Sequence, residues 1–330
     1  MKELFEILDL LHGAPAVPSA LATLVRVDGS SYRRPGARLL LAANGRRAGS
    51  ISGGCLEDDV AAHAAVVLAG GAAQTITYDT TTENDQVWGV GLGCHGVVHV
   101  LVEDLPPLPA WARVLRENLR RRVPTELAVV WGETAAARGT YLAGALPDLP
   151  AAAVFRQLVA PPPALVIFGA GNDARPLVRF AKELGWHVTV VDPRPAMAAA
   201  ARFPEADAVV VARPEEAPTR VAPAPDALVV IMTHHYAHDL PLLRLLLARP
   251  LAYLGLLGPR ARSERILQEL NAGGLPVTAE MRARLHAPVG LDLGADTPEA
   301  VALSILAEMQ AVLGGRDARP LRQRTAPIHG

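Results

Sequence analysis

The chain has 330 residues, enough for two domains that each bury a core of their own. Half of the residues are hydrophobic but only 4% are aromatic, so the core is mostly Ala, Val and Leu and stacking platforms for bases are scarce. Lys plus Arg (32) offsets Asp plus Glu (33), which leaves no global field for a polyanion and argues against nucleic acid as a partner.

The opening stretch MKELFEILDLLHG has an amphipathic helix pattern, with Leu4, Ile7, Leu8 and Leu11 on one face. It lacks the basic start and cleavage site of a signal peptide, and no apolar run reaches the length of a membrane span. Two cysteines make no disulfide framework, so a cytoplasmic location is expected and a Cys55–Cys94 bridge is disfavoured. Residues 20–27 alternate as a strand and lead into the polar loop DGSSYRRPGA. Runs at 37–42 and 46–50 flank Asn44-Gly45, a pair suited to a type I′ hairpin turn. SGGC then enters a helix expected over 56–68, with Leu56, Val60, Val67 and Leu68 inward. A strand at 74–78, the polar TTTENDQ, GVGLGCHG and a strand at 97–102 complete an N-terminal mixed α+β domain, 1–105. Segment 106–160 reads as a connection with a helix near 111–122 and a strand near 126–131. The stiff APPP at 160–163 marks the linker to a third region, 161–330.

From Leu165 the pattern becomes strand–helix alternation. ALVIFG, HVTVVD, AVVVA, ALVVIMT and LAYLGLLG are short apolar runs suited to a mostly parallel, doubly covered sheet, a Rossmann-like domain. A long closing helix is expected over TPEAVALSILAEMQAVL, with Pro298 in its first turn. GAGNDA follows a strand and precedes a helix, the context a dinucleotide fingerprint requires. Gly169 permits the tight turn, Gly171 lets a phosphate approach the backbone beside Asn172, and Ala174 allows close packing. Asp192 ends the next strand, where an acid would accept ribose hydroxyls, and Arg194 could contact a phosphate. The strand into THHYAHD brings His234 and His238 to the crevice edge, as crevice-lining residues or, less favoured, metal ligands. Gly258 and Arg260 stand at a further strand end facing the same crevice.

Cys55 (SGGC) and Cys94 (GLGC) share a setting in which glycines, Gly53 and Gly54 for the first, let a bulky ligand reach the sulfur. Both thiols lie at junctions of loop and element rather than in apolar runs, which favours function over burial as a small hydrophobe for Cys55 and leaves both readings open for Cys94. Glu57, Asp58 and Asp59 suit the positive end of a helix but oppose an anionic sulfur, so Cys55 reads as a waiting ligand rather than a nucleophile. Arg33 and Arg34 offer charge to an anionic ligand, or belong to a solvated hairpin loop.

The order GSSYRRPGARLLL, GSISGGCLEDD, GLGCHG, VIFGAGNDA, VVDPR, IMTHHYAHD, YLGLLGPRAR and APVGLDLGADTPEAVALSILAE resembles the XdhC/CoxI family over about residues 18–313. These are accessory proteins for maturation of xanthine dehydrogenase and related molybdenum hydroxylases. The resemblance implies a maturation factor without turnover of its own. It would bind the molybdenum cofactor transiently, support its sulfuration with a cysteine desulfurase-type donor, and insert it into the apo-hydroxylase, commonly as a homodimer. By motif position Cys55 would meet the molybdenum or its sulfur, with Cys94 second. Two positions depart from the family pattern: His95 replaces a glycine, which adds an imidazole to that loop, and Pro259 replaces a small hydroxyl residue. An NAD(P)-dependent oxidoreductase built on GAGNDA and Asp192 is the alternative, and an adaptor that recruits a sulfurtransferase is a third.

Overall fold

Near-continuous apolar runs in the first strands, SALATLV and RLLLA, commit both faces of a sheet to burial, and the computed structural model shows what covers each face. It describes residues 1–13, 17–79, 81, 96–132, 138–146 and 154–325. The chain divides into two compact units, Met1–Pro161 and Pro162–Gly330, with the break inside the proline run.

In the first unit, β1 (Ser19–Gly29), β2 (Arg38–Ala42), β3 (Arg47–Gly49), β4 (Gln74–Asp79) and β5 (Gly96–Leu105) form an antiparallel sheet ordered β3-β2-β1-β5-β4. Ala20, Ala22, Leu39, Leu41, Val100 and Val102 bury one face against α2 (Glu57–Leu68), through Val60, Ala64 and Val67. Leu21 and Leu40 on the other face meet α1 (Lys2–Gly13) and α3 (Ala110–Arg120), where Ile7, Leu8, Trp111 and Leu115 are buried. The expected 106–160 segment also carries a three-stranded sheet, β7-β6-β8, from β6 (Thr125–Val130), β7 (Gly139–Leu142) and β8 (Val154–Val159). Leu127 and Val159 of that sheet join the same core as α1 and α3.

The β2–β3 connection is not the expected type I′ turn. Gly45 has φ +84° while Asn44 stays out of the left-handed region. Gly45 N donates to Ala42 O and Ala42 N to Arg46 O, which gives a three-residue type I turn closed by a glycine bulge. Asn44 Oδ1 accepts from Arg46 N, a local bond that holds asparagine in this turn.

In the second unit, β9 (Ala164–Phe168), β10 (His187–Asp192), β11 (Ala208–Val211), β12 (Leu228–Ile231), β13 (Tyr253–Leu256) and β14 (Leu285–His286) form a sheet ordered β11-β10-β9-β12-β13-β14. All of its pairings are parallel. Leu165, Ile167, Val188 and Val190 pack under α4 (Ala174–Glu183) and α9 (Pro298–Leu313). The alternate residues Val166, Phe168, Val229 and Ile231 share a core with α5 (Ala217–Val221), α6 (Tyr236–Leu247), α7 (Arg260–Ala272) and α8 (Ala279–Arg284). Thr297 Oγ1 accepts from Ala300 N and starts α9, with Pro298 at its first position as expected. The sheet reverses direction of growth between β9 and β12, and that switch point is where such folds open a ligand crevice.

Candidate functional site

In the first unit, the chain leaves β3 and enters α2 through residues 50–56, and this loop folds around the carboxylate of Glu57. Glu57 Oε1 accepts from Ser50 Oγ (2.9 Å), Ile51 N (3.3 Å) and Ser52 N (2.9 Å). Its Oε2 accepts from Leu56 N (3.2 Å) and, through a short contact, from Ser52 Oγ. Ser52 Oγ in turn accepts from Gly54 N (3.1 Å) and Leu56 N (3.2 Å). Burial alone would raise the Glu57 pKa, but the bonds from Ser52 and Ser50 outweigh it and hold the carboxyl below its ordinary value.

Cys55 stands on this tied loop as an exposed free thiol, one residue before the Leu56 cap position. Gly54 takes φ +107°, and a side chain on it would meet only open space. The ring of Tyr32, exposed and adjacent to Arg33, lies against Gly53 at 3.7 Å from where a Cβ would stand. The loop thus offers a soft sulfur with bare backbone beside it and an aromatic face next to it.

The neighbouring charges are largely committed. Arg33 donates to both oxygens of Glu3, at 3.0 Å to Oε1 and closer to Oε2, so its charge is held by an ion pair rather than offered to a ligand. Arg34 is exposed. Asp59 accepts from Tyr78 Oη at 2.6 Å, and Asp58 lies 3.5 Å from Arg47. Cys94 and His95 lie outside the described residues.

In the second unit, Gly169, Gly171, Asp173, Asp192 and His234 lie around the ends of β9, β10 and β12. Gly169 adopts φ +117° where a Cβ would lie 2.4 Å from Met232 O, so the ends of β9 and β12 approach as only glycine permits. Asp192 is 2% exposed and accepts from Ala170 N, Arg194 N, Arg194 Nε and Arg194 Nη2, all at 2.9 Å. Burial would raise its pKa, yet these bonds, Arg194 first, bring it below the ordinary value. The carboxylate expected to face ribose hydroxyls is therefore filled from within, and the guanidinium expected to seek phosphate is spent on it.

His234 adopts φ +57°, a costly conformation for a residue other than glycine, and its Nε2 lies 2.5 Å from Asp173 Oδ2. Asp173 Oδ1 lies 2.6 Å from where a Cβ of Gly171 would stand, so this acid covers the glycine meant for phosphate approach. His235 and His238 pack with ring centroids 4.5 Å apart and their planes tilted by 32°, and among the described residues no three His, Cys, Asp or Glu side chains form a metal cluster. Asp239, buried, accepts from Thr233 Oγ1 (2.5 Å) and Arg262, so Arg262 rather than Arg260 is the guanidinium committed at this edge. Nothing in the sequence alone marks Tyr32, Asp173 or Glu57 as site-shaping groups. Each sits inside a motif that stands out, but their bonding depends on loop conformation.

These features define a two-part protein: a Rossmann unit with a dinucleotide-type fingerprint, and a unit that presents a thiol on a glycine loop. Models described as "XdhC Rossmann domain" and "XdhC and CoxI family" match residues 165–309 and 14–79. The chain is 33% identical to a Bacillus subtilis (strain 168) protein described as a probable xanthine dehydrogenase subunit, over 88% of this chain and 92% of that protein. It is 27% identical to the molybdenum cofactor insertion chaperone PaoD of Escherichia coli (strain K12), over 93% and 86% of the two chains. A crystal structure described as a xanthine dehydrogenase from Bacillus halodurans matches with a TM-score of 0.81 at 30% identity, over 99% of each chain. The chain belongs to the XdhC and CoxI family.

Proposed function

We propose that this protein carries the molybdenum cofactor as cargo and inserts it into a xanthine dehydrogenase-type molybdenum hydroxylase, with Cys55 as the residue that meets the metal or its sulfur. The observation that carries the reading is the exposed Cys55 thiol on a loop anchored by Glu57, in a chain related along 93% of its length to a cofactor insertion chaperone. The residues fit such cargo. Open space beside Gly54 admits a bulky group, molybdenum pairs well with thiolate, and the Tyr32 face beside Gly53 suits a flat pterin. Binding to the metal would itself deprotonate the thiol, so the adjacent acids are no obstacle. In this reading the protein works in the cytoplasm as a homodimer and meets a cysteine desulfurase-type donor while the cofactor is sulfurated. An NAD(P)-dependent oxidoreductase is less well supported, because Arg194 and the Ala170 amide already engage Asp192.

The test is anaerobic gel filtration of the purified protein with free molybdenum cofactor. Co-elution is expected for the wild type and is expected to weaken for Cys55→Ala. No co-elution by the wild type would overturn the carrier reading, and equal co-elution by the variant would remove Cys55 from it.

A further inference from the structure

The phosphate loop of the second unit is closed on its usual face by a carboxylate. Asp173 stands over Gly171 and is held there by His234, and Asp192 has no open acceptor position. An anion entering above Gly171 would meet like charge at short range.

On another side of the same loop the balance of charge reverses. A cleft of about 380 Å³ lies among Asn172, the first turns of α4, the stretch after β10 and the start of α9. Arg175, Arg179 and Arg202 line it. Arg202 is fixed by neutral groups only, Ala170 O (3.1 Å), Met197 O (3.3 Å) and Asn172 Oδ1 (3.2 Å), so it is oriented without losing its charge. Arg175 has no carboxylate in ion-pair distance among the described residues. Arg179 reaches Glu299 only at 3.9 Å, between two half-exposed side chains. Glu205 and Glu299 also line the cleft, so three guanidiniums face two carboxylates, and a dianion is better matched than a polyanion. Pro204 and Pro298 add apolar walls, and the volume falls within the range of small-molecule sites.

We propose that this cleft binds a phosphorylated small molecule, its phosphate held between Arg175 and Arg202 and its organic body against the proline walls. The class is an organic phosphate monoester, and the site is distinct from the berth over Gly171 that the fingerprint advertises. The proposal does not depend on the molybdenum cofactor, and its test uses none.

Calorimetric titration of the full chain with adenosine 5′-monophosphate, ribose 5-phosphate and inorganic phosphate, each to about 5 mM, distinguishes a nucleotide, a sugar phosphate and the bare anion. Binding of at least one organic monoester, tighter than inorganic phosphate, is expected. Arg175→Ala/Arg179→Ala, on an exposed helix surface, should weaken it at least tenfold with circular dichroism unchanged. Asp173→Asn should leave the affinity within twofold. No binding of either organic monoester by the wild type, or binding no tighter than that of inorganic phosphate, overturns the proposal. So does binding that survives the double variant. Tightening of tenfold or more in Asp173→Asn also overturns it, because that result places the ligand over Gly171.

Discussion

Removing the charge of Glu57 should free the cysteine loop while leaving the first unit folded. In Glu57→Gln the remaining carbonyl can keep the three donors now on Oε1, but the new amide meets the Leu56 N–H donor to donor. A hydrogen bond to a charged acceptor contributes about 1.5–3 kcal/mol. Five donors share two oxygens on a partly exposed group, so the terms do not add, and a local loss of about 2 kcal/mol is expected. Global stability of about 5–15 kcal/mol absorbs this, so unfolding stays cooperative. Hydrogen exchange followed by mass spectrometry on a peptide covering residues 51–56 reads the effect directly. A loss of about 2 kcal/mol corresponds to roughly thirtyfold faster exchange if the loop opens locally. Exchange within threefold of wild type would refute the view that Glu57 holds the loop.

The two glycines before Cys55 should differ sharply: Gly53→Ala should change stability by less than about 0.5 kcal/mol, since it meets only the Tyr32 ring at ordinary contact distance, whereas Gly54→Ala at φ +107° should cost at least about 1 kcal/mol in urea unfolding. Gly169→Ala should destabilise the second unit severely, because its Cβ would lie 2.4 Å from Met232 O; soluble expression at wild-type level with unchanged thermal melting would contradict this. Glu57 and Asp192 have native pKa values depressed from ordinary values of 4.5 and 3.8, so their contributions are full above those values and vanish as pH falls through the native ones. Acid titration monitored by circular dichroism should therefore show stability declining below about pH 4.5, less steeply in Glu57→Gln.

The glycine fingerprint is legible in sequence because its geometry is set by backbone: Gly169 must pass Met232 closely, and no side chain elsewhere alters that demand. The apolar runs at β9, β10 and β12 are legible for a similar reason, since a doubly covered parallel strand has no polar face. The Asn44-Gly45 pair locates its turn correctly but mistypes it, because the Asn44 side-chain bond to Arg46 favours a different turn than the pair alone suggests. β7 and β8 escape notice since GTYL and VFRQLV are short and carry no regular apolar alternation, and only their pairing with β6 marks them as strands. The Arg33–Glu3 pair spans 30 residues and leaves no local trace, so the sequence shows Arg33 as available when it is not. Asp173 passes for loop filler, although its carboxylate stands over Gly171, where the fingerprint would place a phosphate.

The clasp between Asp192 and Arg194 also bears on how this domain can change over generations. Asp192 ties the end of β10 to the glycine turn through Ala170 N, so losing the acid alone would loosen the turn. Losing Arg194 alone would leave a buried carboxylate without its cation, a costly intermediate unless another charge or a ligand's hydroxyls took over. The two positions are therefore expected to be inherited as a unit. A descendant that replaced Arg194 with a small residue would uncover an acid already placed where ribose binds in other Rossmann domains. One guanidinium thus covers the ribose end of that crevice, while Asp173 over Gly171 would still stand at its phosphate end.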